Sequence, residues 1–179
     1  MILWSSAFIT SKIIVDNAPP FLSLSIRFGI VAFLFFLFFL FFSKDKYISF
    51  KAFKNASISG LLFHGLYLGG VFFALYKGIS ATLIALVVSL QPILTSFLAK
   101  IYFNETLTKF QWLGIILGFS GALIIIVSDL IDGLTIVAFF AGIVGLVSSS
   151  LGIIWQKKIG SGLSLSGNNF LQALSAAIF

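Results

Sequence analysis

The sequence predicts an all-α polytopic membrane protein folded as a helical bundle, and three observations predict it. Apolar residues fill 60% of the 179 positions and charged residues only 9%, where soluble globular domains carry roughly 25% charged residues. The apolar positions fall in runs of about 20, the length a helix needs to cross the hydrocarbon core of a bilayer. The charges collect between the runs and sort by sign. A soluble fold of this composition would expose apolar patches far larger than water-facing monomers carry, so lipid is the solvent for most of the surface.

Taken in order, residues 1–15 form a short apolar first span that includes Lys12. Asp16-Asn17-Ala18-Pro19-Pro20 is a turn, because prolines cannot continue the preceding helix but suit the first turn of the next. Residues 21–42 make a second span whose only charge is Arg27, and residues 56–76 a third, interrupted only by His64. The fourth, 79–101, carries Gln91-Pro92 in its interior and Lys100 near its end. The fifth, 110–127, and the sixth, 134–155, are free of charge. Residues 170–179 begin a seventh, and ten helical residues cover only ~15 Å, about half a bilayer. The seventh span is therefore expected to be cut off, and the chain to be a fragment whose 179 residues alone carry no transport.

The connectors give the orientation. Cytoplasmic loops are enriched in Lys and Arg. With the N-terminus inside, Lys44, Lys46, Lys51, Lys54, Lys100, Lys109, Lys157 and Lys158 all fall on the cytoplasmic side. Asp16, Asp129 and Asp132 then fall outside, with Lys77 the mild exception. The expected location is the cell (inner) membrane, multi-pass, with the N-terminus cytoplasmic.

A weak internal repeat follows the same alternation. Leu3-Trp4-Ser5-Ser6 recurs as Leu146-Val147-Ser148-Ser149, and Arg27-Phe28 aligns with Asn169-Phe170. The second copy starts five spans after the first. Five is odd, so it enters the membrane in the opposite direction. Inverted repeats of this kind build many secondary transporters. The expected organisation is a first repeat over residues 1–128 and a truncated second over residues 134–179, within a whole of ten helices.

The residues also resemble a known family. Trp4-Ser5-Ser6-Ala7-Phe8 with Lys12, then Pro20 with Arg27-Phe28, are similar to the first two helices of the drug/metabolite transporter superfamily, in its EamA-type members. The most specific stretch is Ala81-Thr82 through Leu90-Gln91-Pro92, followed by Asn104-Glu105-Thr106-Leu107-Thr108 and by Gly114 with Gly121. Asn104 departs from the glycine the family commonly has before its glutamate. The resemblance implies ten helices in a five-plus-five inverted repeat and the transport of small metabolites, often export, without naming one substrate.

The candidate functional residues are the polar ones inside the spans. Arg27 sits a few residues into its span, where a charge is costly; it either contacts an anionic substrate in a polar cavity or snorkels to the outer interface. His64 lies mid-span and either relays a proton or hydrogen-bonds a neighbouring helix. Gln91-Pro92 breaks a helix, and such breaks are tolerated where they face protein or a water-filled cavity; the alternative is a packing kink. Trp4, Ser6 and Trp155, in the two repeat-start helices, complete the substrate-cavity candidates, although both tryptophans also suit an interfacial aromatic belt. Glu105, in a cytoplasmic turn, reads as structural or gating. Lys12 and Asp16 are spaced for a local ion pair. Gly65 with Gly69, and Gly114 with Gly118, are spaced for close helix packing.

Other chemistries are poorly served. The chain has no cysteine and one histidine, so thiolate chemistry and a multi-histidine metal site are out of reach. No acid pair or Ser/His/Asp constellation occurs at matched depth, so no enzyme, no catalytic residue, no metal and no cofactor are expected. The net charge of +6 belongs to membrane topology and not to nucleic acid. The expected partners are a small-molecule substrate and the lipid bilayer, with a homodimer as a further option. The competing function is a non-transporting membrane scaffold or assembly factor, which would need no polar cavity and would tolerate apolar replacements at Arg27 and Gln91.

Overall fold

The computed structural model describes residues 2–43, 47–104, 107–131, 136–159 and 162–179, with the backbone alone at 2–5, 122–123, 125–131 and 159. The described residues are helical with short connections and no strand. Helix α1 spans Ile2–Asn17 and α2 spans Pro20–Phe42. Helix α3, Phe50–Gly60, runs through a π-helical turn at Leu61–Leu66 into α4, Tyr67–Tyr76. Helices α5, Ala81–Ser89, and α6, Gln91–Phe103, share one span broken at Leu90. Helices α7, Lys109–Ile131, α8, Ile136–Ile159, and α9, Leu165–Ile178, complete the described chain.

Local chemistry sets these boundaries. Pro19 and Pro20 open α2. The Oγ atoms of Ser49, Ser80 and Ser164 accept from the backbone N–H groups of Ala52, Leu83 and Gly167 and so cap α3, α5 and α9. At the start of α7 the Thr108 N–H donates to Gln111 Oε1 at 2.7 Å, while the Gln111 N–H donates back to Thr108 Oγ1. This reciprocal pair satisfies two donors that a helix start otherwise leaves without partners. Gly78 turns the chain between α4 and α5 at φ +96°.

Asn104 ends α6 in the left-handed region at φ 54°. Glycine is favoured at such a helix end because it has no Cβ, and asparagine is among the few other residues that tolerate it. This is the physical reason an Asn can stand where the sequence resemblance leads one to expect Gly. Asn104→Gly is expected to leave thermal stability unchanged or slightly higher. Asn104→Val is expected to cost about 1–2 kcal/mol, and an equal melting temperature for the two variants would contradict the assignment.

Among the described residues, four helical stretches are long and apolar enough to cross a membrane: Pro20–Phe42, Phe50–Tyr76, Ala81–Phe103 and Ile136–Lys158. The third-span helix starts at Phe50, earlier than its charge-free portion at residue 56, because Lys51 and Lys54 lie exposed on one side while Ala52 and Asn55 are buried on the other. Large apolar side chains such as Phe33, Leu34, Phe41 and Phe42 are exposed, as a lipid-facing surface requires. Phe72, Leu75, Ile79, Leu83, Ile84, Val87 and Val88 are fully buried, so the core centres on the α4–α5 corner and its contact with α8.

Side-chain contacts fix which helix ends share a face of the bundle. Ser43, after α2, meets Ser164, before α9, with their hydroxyls 3.0 Å apart. The Trp155 indole N–H near the end of α8 donates to the Asn55 carbonyl in α3 at 3.2 Å. The Lys157 Nζ lies 4.8 Å from the centre of the Phe103 ring, and the Lys158 Nζ lies 5.5 Å from that of Tyr102. The ends carrying Lys51, Lys54, Lys100, Lys157 and Lys158 therefore gather together. At the other end, Asp16, Pro19, Phe73 and Tyr76 surround one shallow pocket, and Lys12 bonds Asp16 at 2.7 Å.

Candidate functional site

The polar side chains inside the bundle are held by α2, the π-helical turn and α8. Helix α2 buries Pro20, Leu24, Phe28 and Ala32 in one stripe. Its i, i+4 spacing makes a single face. Phe28 from that face meets His64, with ring centres 4.9 Å apart at 42°. Phe63 lies on another side of the imidazole, its ring centre 6.3 Å away. Arg27 is exposed, its guanidinium carbon 5.8 Å from the Phe28 ring centre. Phe28 and His64 thus meet where α2 crosses the π-turn, with the exposed Arg27 beside Phe28.

The depth of this meeting point follows from helix geometry. His64 is about 21 Å along its helix from Phe50 and about 18 Å from Tyr76 at 1.5 Å per residue. Arg27 is about 10 Å from the start of α2 on the same scale. A π-helical turn is uncommon and recurs at functional sites, because the extra residue disturbs the hydrogen-bond ladder. The cluster offers a planar cation with a two-pronged donor face, an imidazole that can donate or accept, and flanking aromatic rings. That set suits a carboxylate with an apolar neighbour.

The other candidates lie elsewhere. Pro92 stands in the first turn of α6, where it needs no intrahelical N–H partner. The break at Leu90 is real, with Gln91 half-buried and Pro92 exposed. Ser96 Oγ donates to the Pro92 carbonyl at 2.7 Å. Trp155 is half-buried and clasps α8 to α3 through Asn55. Ser6 is exposed on α1, where its carbonyl accepts from Thr10 Oγ1. The Trp4 side chain and Glu105 lie outside the described residues.

Sequence reasoning missed a second polar seam. Asn55, Ser59 and Gln172 are buried, and Gln156 Nε2 donates to Gln172 Oε1 at 3.4 Å. Together with the Trp155 bond, these residues tie α3, α8 and α9 near the lysine-bearing end. Asn55 falls just outside the third span that the sequence bounds at residue 56, since a polar residue beside Lys54 reads as loop. The serine run Ser148–Ser150 is buried as well, and the Ser150 Oγ is enclosed without a hydrogen-bond partner. The usable signal was the conjunction of small polar residues on α8 with Gln172 on α9.

Comparison with known proteins follows the same lines. A probable amino-acid metabolite efflux pump of Escherichia coli K12 is 29% identical over 166 residues, covering 89% of this chain and 51% of that protein. A transporter of Buchnera aphidicola, described as uncharacterized and lying in the trpA 3' region, is 27% identical and covers 99% of this chain and 59% of its own length. The inner membrane transporter YedA of Escherichia coli K12, also described as uncharacterized, is 25% identical over 88% of this chain and 51% of its own. The chain spans about half the length of the curated relatives it matches. No solved structure matches it. The profile of the EamA-like transporter family matches residues 1–127, well over half of the sequence. An all-helical membrane bundle with the Gln91-Pro92 break and the Asn104 turn is thus placed among proteins it resembles along most of its length: the chain belongs to the EamA-like transporter family, within the drug/metabolite transporter superfamily.

Proposed function

We propose that this chain supplies the first five-helix repeat and the opening helices of an inverted second repeat in a ten-helix secondary transporter. It exports small metabolites, amino-acid-like solutes among them, by alternating access across the inner membrane. The N-terminus is cytoplasmic, because the gathered lysine ends then face the side that the positive-inside rule assigns to them. The efflux-pump relative motivates the substrate class. The observation that carries the reading is the contact of Phe28 with His64 at the π-turn of an apolar bundle, with the exposed Arg27 beside Phe28. A carboxylate-bearing solute would find there a charge-assisted donor set on an otherwise apolar wall.

Efflux of labelled amino acids from cells expressing the whole ten-helix transporter proposed here tests it. Preloaded cells are expected to lose label several-fold faster than cells with an empty vector. Equal efflux for every amino acid and amino-acid derivative tried would sink the substrate class. Apolar replacements at Arg27 and Gln91 that leave all cellular function intact would favour a scaffold instead.

A further inference from the structure

We propose that the cleft between α6 and α7 is a binding site for one anionic phospholipid, with an acyl chain in the cleft and the headgroup phosphate at Lys100. The cleft is about 240 Å³. Ile93 and Phe97 from α6, Trp112, Ile115 and Phe119 from α7, and Leu146 from α8 line it, and every lining side chain is apolar. The spacing on α6 and α7 is three or four residues, so each helix turns one continuous stripe inward.

The cleft has defined ends. Gly118 of α7 comes close to Ile93, where an added Cβ would sit 3.3 Å from Cδ1. At the other end the Lys100 ammonium lies 5.4 Å from the centre of the Trp112 ring. Lys100 continues the Ile93–Phe97 stripe by one turn, so the apolar wall leads directly to a cation. An acyl chain on an open convex surface exchanges with bulk lipid, whereas a bounded groove holds one chain.

Charge selects the headgroup. Lys100, Lys157 and Lys158 stand at this end of the bundle, and Lys109 opens α7. Lys157 and Lys158 lie over Phe103 and Tyr102, so aromatic rings and ammonium groups alternate around the end of α6. Tyr102 is 49% exposed and Trp112 38%, which leaves both rings open to the headgroup layer, where such side chains settle. The proposal rests on the cytoplasmic N-terminus proposed above, which puts this end at the anionic cytoplasmic leaflet, and each lysine near it favours anionic lipid about fivefold. The site is independent of what the protein transports.

The test uses the chain's own tryptophan. The purified chain is reconstituted in phosphatidylcholine vesicles doped with phosphatidylglycerol or phosphatidylcholine carrying brominated acyl chains, which quench a tryptophan they touch. A Trp112→Phe variant isolates the Trp112 share of the signal. Half-quenching of Trp112 is expected at about fivefold lower mole fraction of brominated phosphatidylglycerol. Lys100→Gln is expected to erase the preference, and Lys100→Arg to keep it. Equal quenching by both headgroups, or a preference that survives Lys100→Gln, overturns the proposal. A Trp112 shielded from both lipids also overturns it, in favour of a cleft covered by protein. Should Lys100→Gln lose its helical circular dichroism, the headgroup preference of the native chain together with Lys100→Arg decides.

Discussion

Gly60→Ala is expected to destabilise the bundle by about 1–3 kcal/mol, the range for overpacking a tight contact. A Cβ at residue 60 would lie 2.6 Å from Gln172 Cα, with the Gln172 carbonyl closer still. Both obstacles are backbone, so no side-chain rotation relieves the clash and α3 must move off α9. Gly70→Ala presents the same problem one helix further on, with the Ala141 carbonyl oxygen 2.6 Å away and Gly145 N at 3.1 Å. Within a bilayer the hydrophobic effect does not press helices together, so close van der Waals packing carries the association. Losing it at Gly60 or Gly70 removes what holds α9 and α8 against the third span.

The internal controls are Gly29→Ala and Gly114→Ala, where an added Cβ meets nothing within 4 Å. There the better helix propensity of alanine is expected to raise stability by up to about 1 kcal/mol. Denaturation of the purified chain by sodium dodecyl sulfate, followed by circular dichroism, reads all four variants. If Gly60→Ala and Gly70→Ala denature at the same detergent fraction as the two controls, the helix approaches described here are wrong.

These glycines show where sequence reasoning stops. Pattern alone picked Gly65 with Gly69 and Gly114 with Gly118 as packing pairs. Gly114 meets nothing and Gly69 meets only the Phe21 side chain at ordinary contact distance, while Gly65 and Gly118 closely meet single side chains, Phe179 and Ile93, and no opposing backbone. Spacing along a helix shows which residues share a face, but not which face another helix approaches. The tight positions, Gly60 and Gly70, are opposed by Gln172 and Ala141, far away in sequence. By contrast, the break before Pro92 and the turn at Asn104 were legible, because each follows from one residue's own backbone chemistry. The π-turn at Leu61–Leu66 was not, since no single residue's backbone chemistry marks it. The burial of Asn55 is hidden for a related reason. Its carbonyl accepts from Trp155, a hundred residues later.

Arg27 decides between the two readings its position allows, and the decision is large. Under the proposed function, its guanidinium binds a substrate carboxylate, and a charge-assisted contact of that kind contributes about 1.5–3 kcal/mol. Arg27→Gln is then expected to weaken apparent substrate affinity by roughly tenfold to more than a hundredfold. Arg27→Lys keeps the charge but not the planar fork, so an intermediate loss is expected. The competing reading has the long side chain reach from about 10 Å inside the helix to the outer interface. Its exposure and its contact with Phe28 are compatible with either, but the consequences differ. A snorkelling arginine tolerates Lys and Gln alike, and neither change would alter transport at saturating or limiting substrate. His64→Gln sharpens the contrast, because Gln retains hydrogen bonding while losing the ring that packs at a tilt against Phe28. If Arg27 and His64 act on one solute, their combined variant is expected to lose less than the product of the single losses, since both report the same bound state. Independent, fully multiplicative effects would separate the two residues and leave Arg27 as an interfacial anchor.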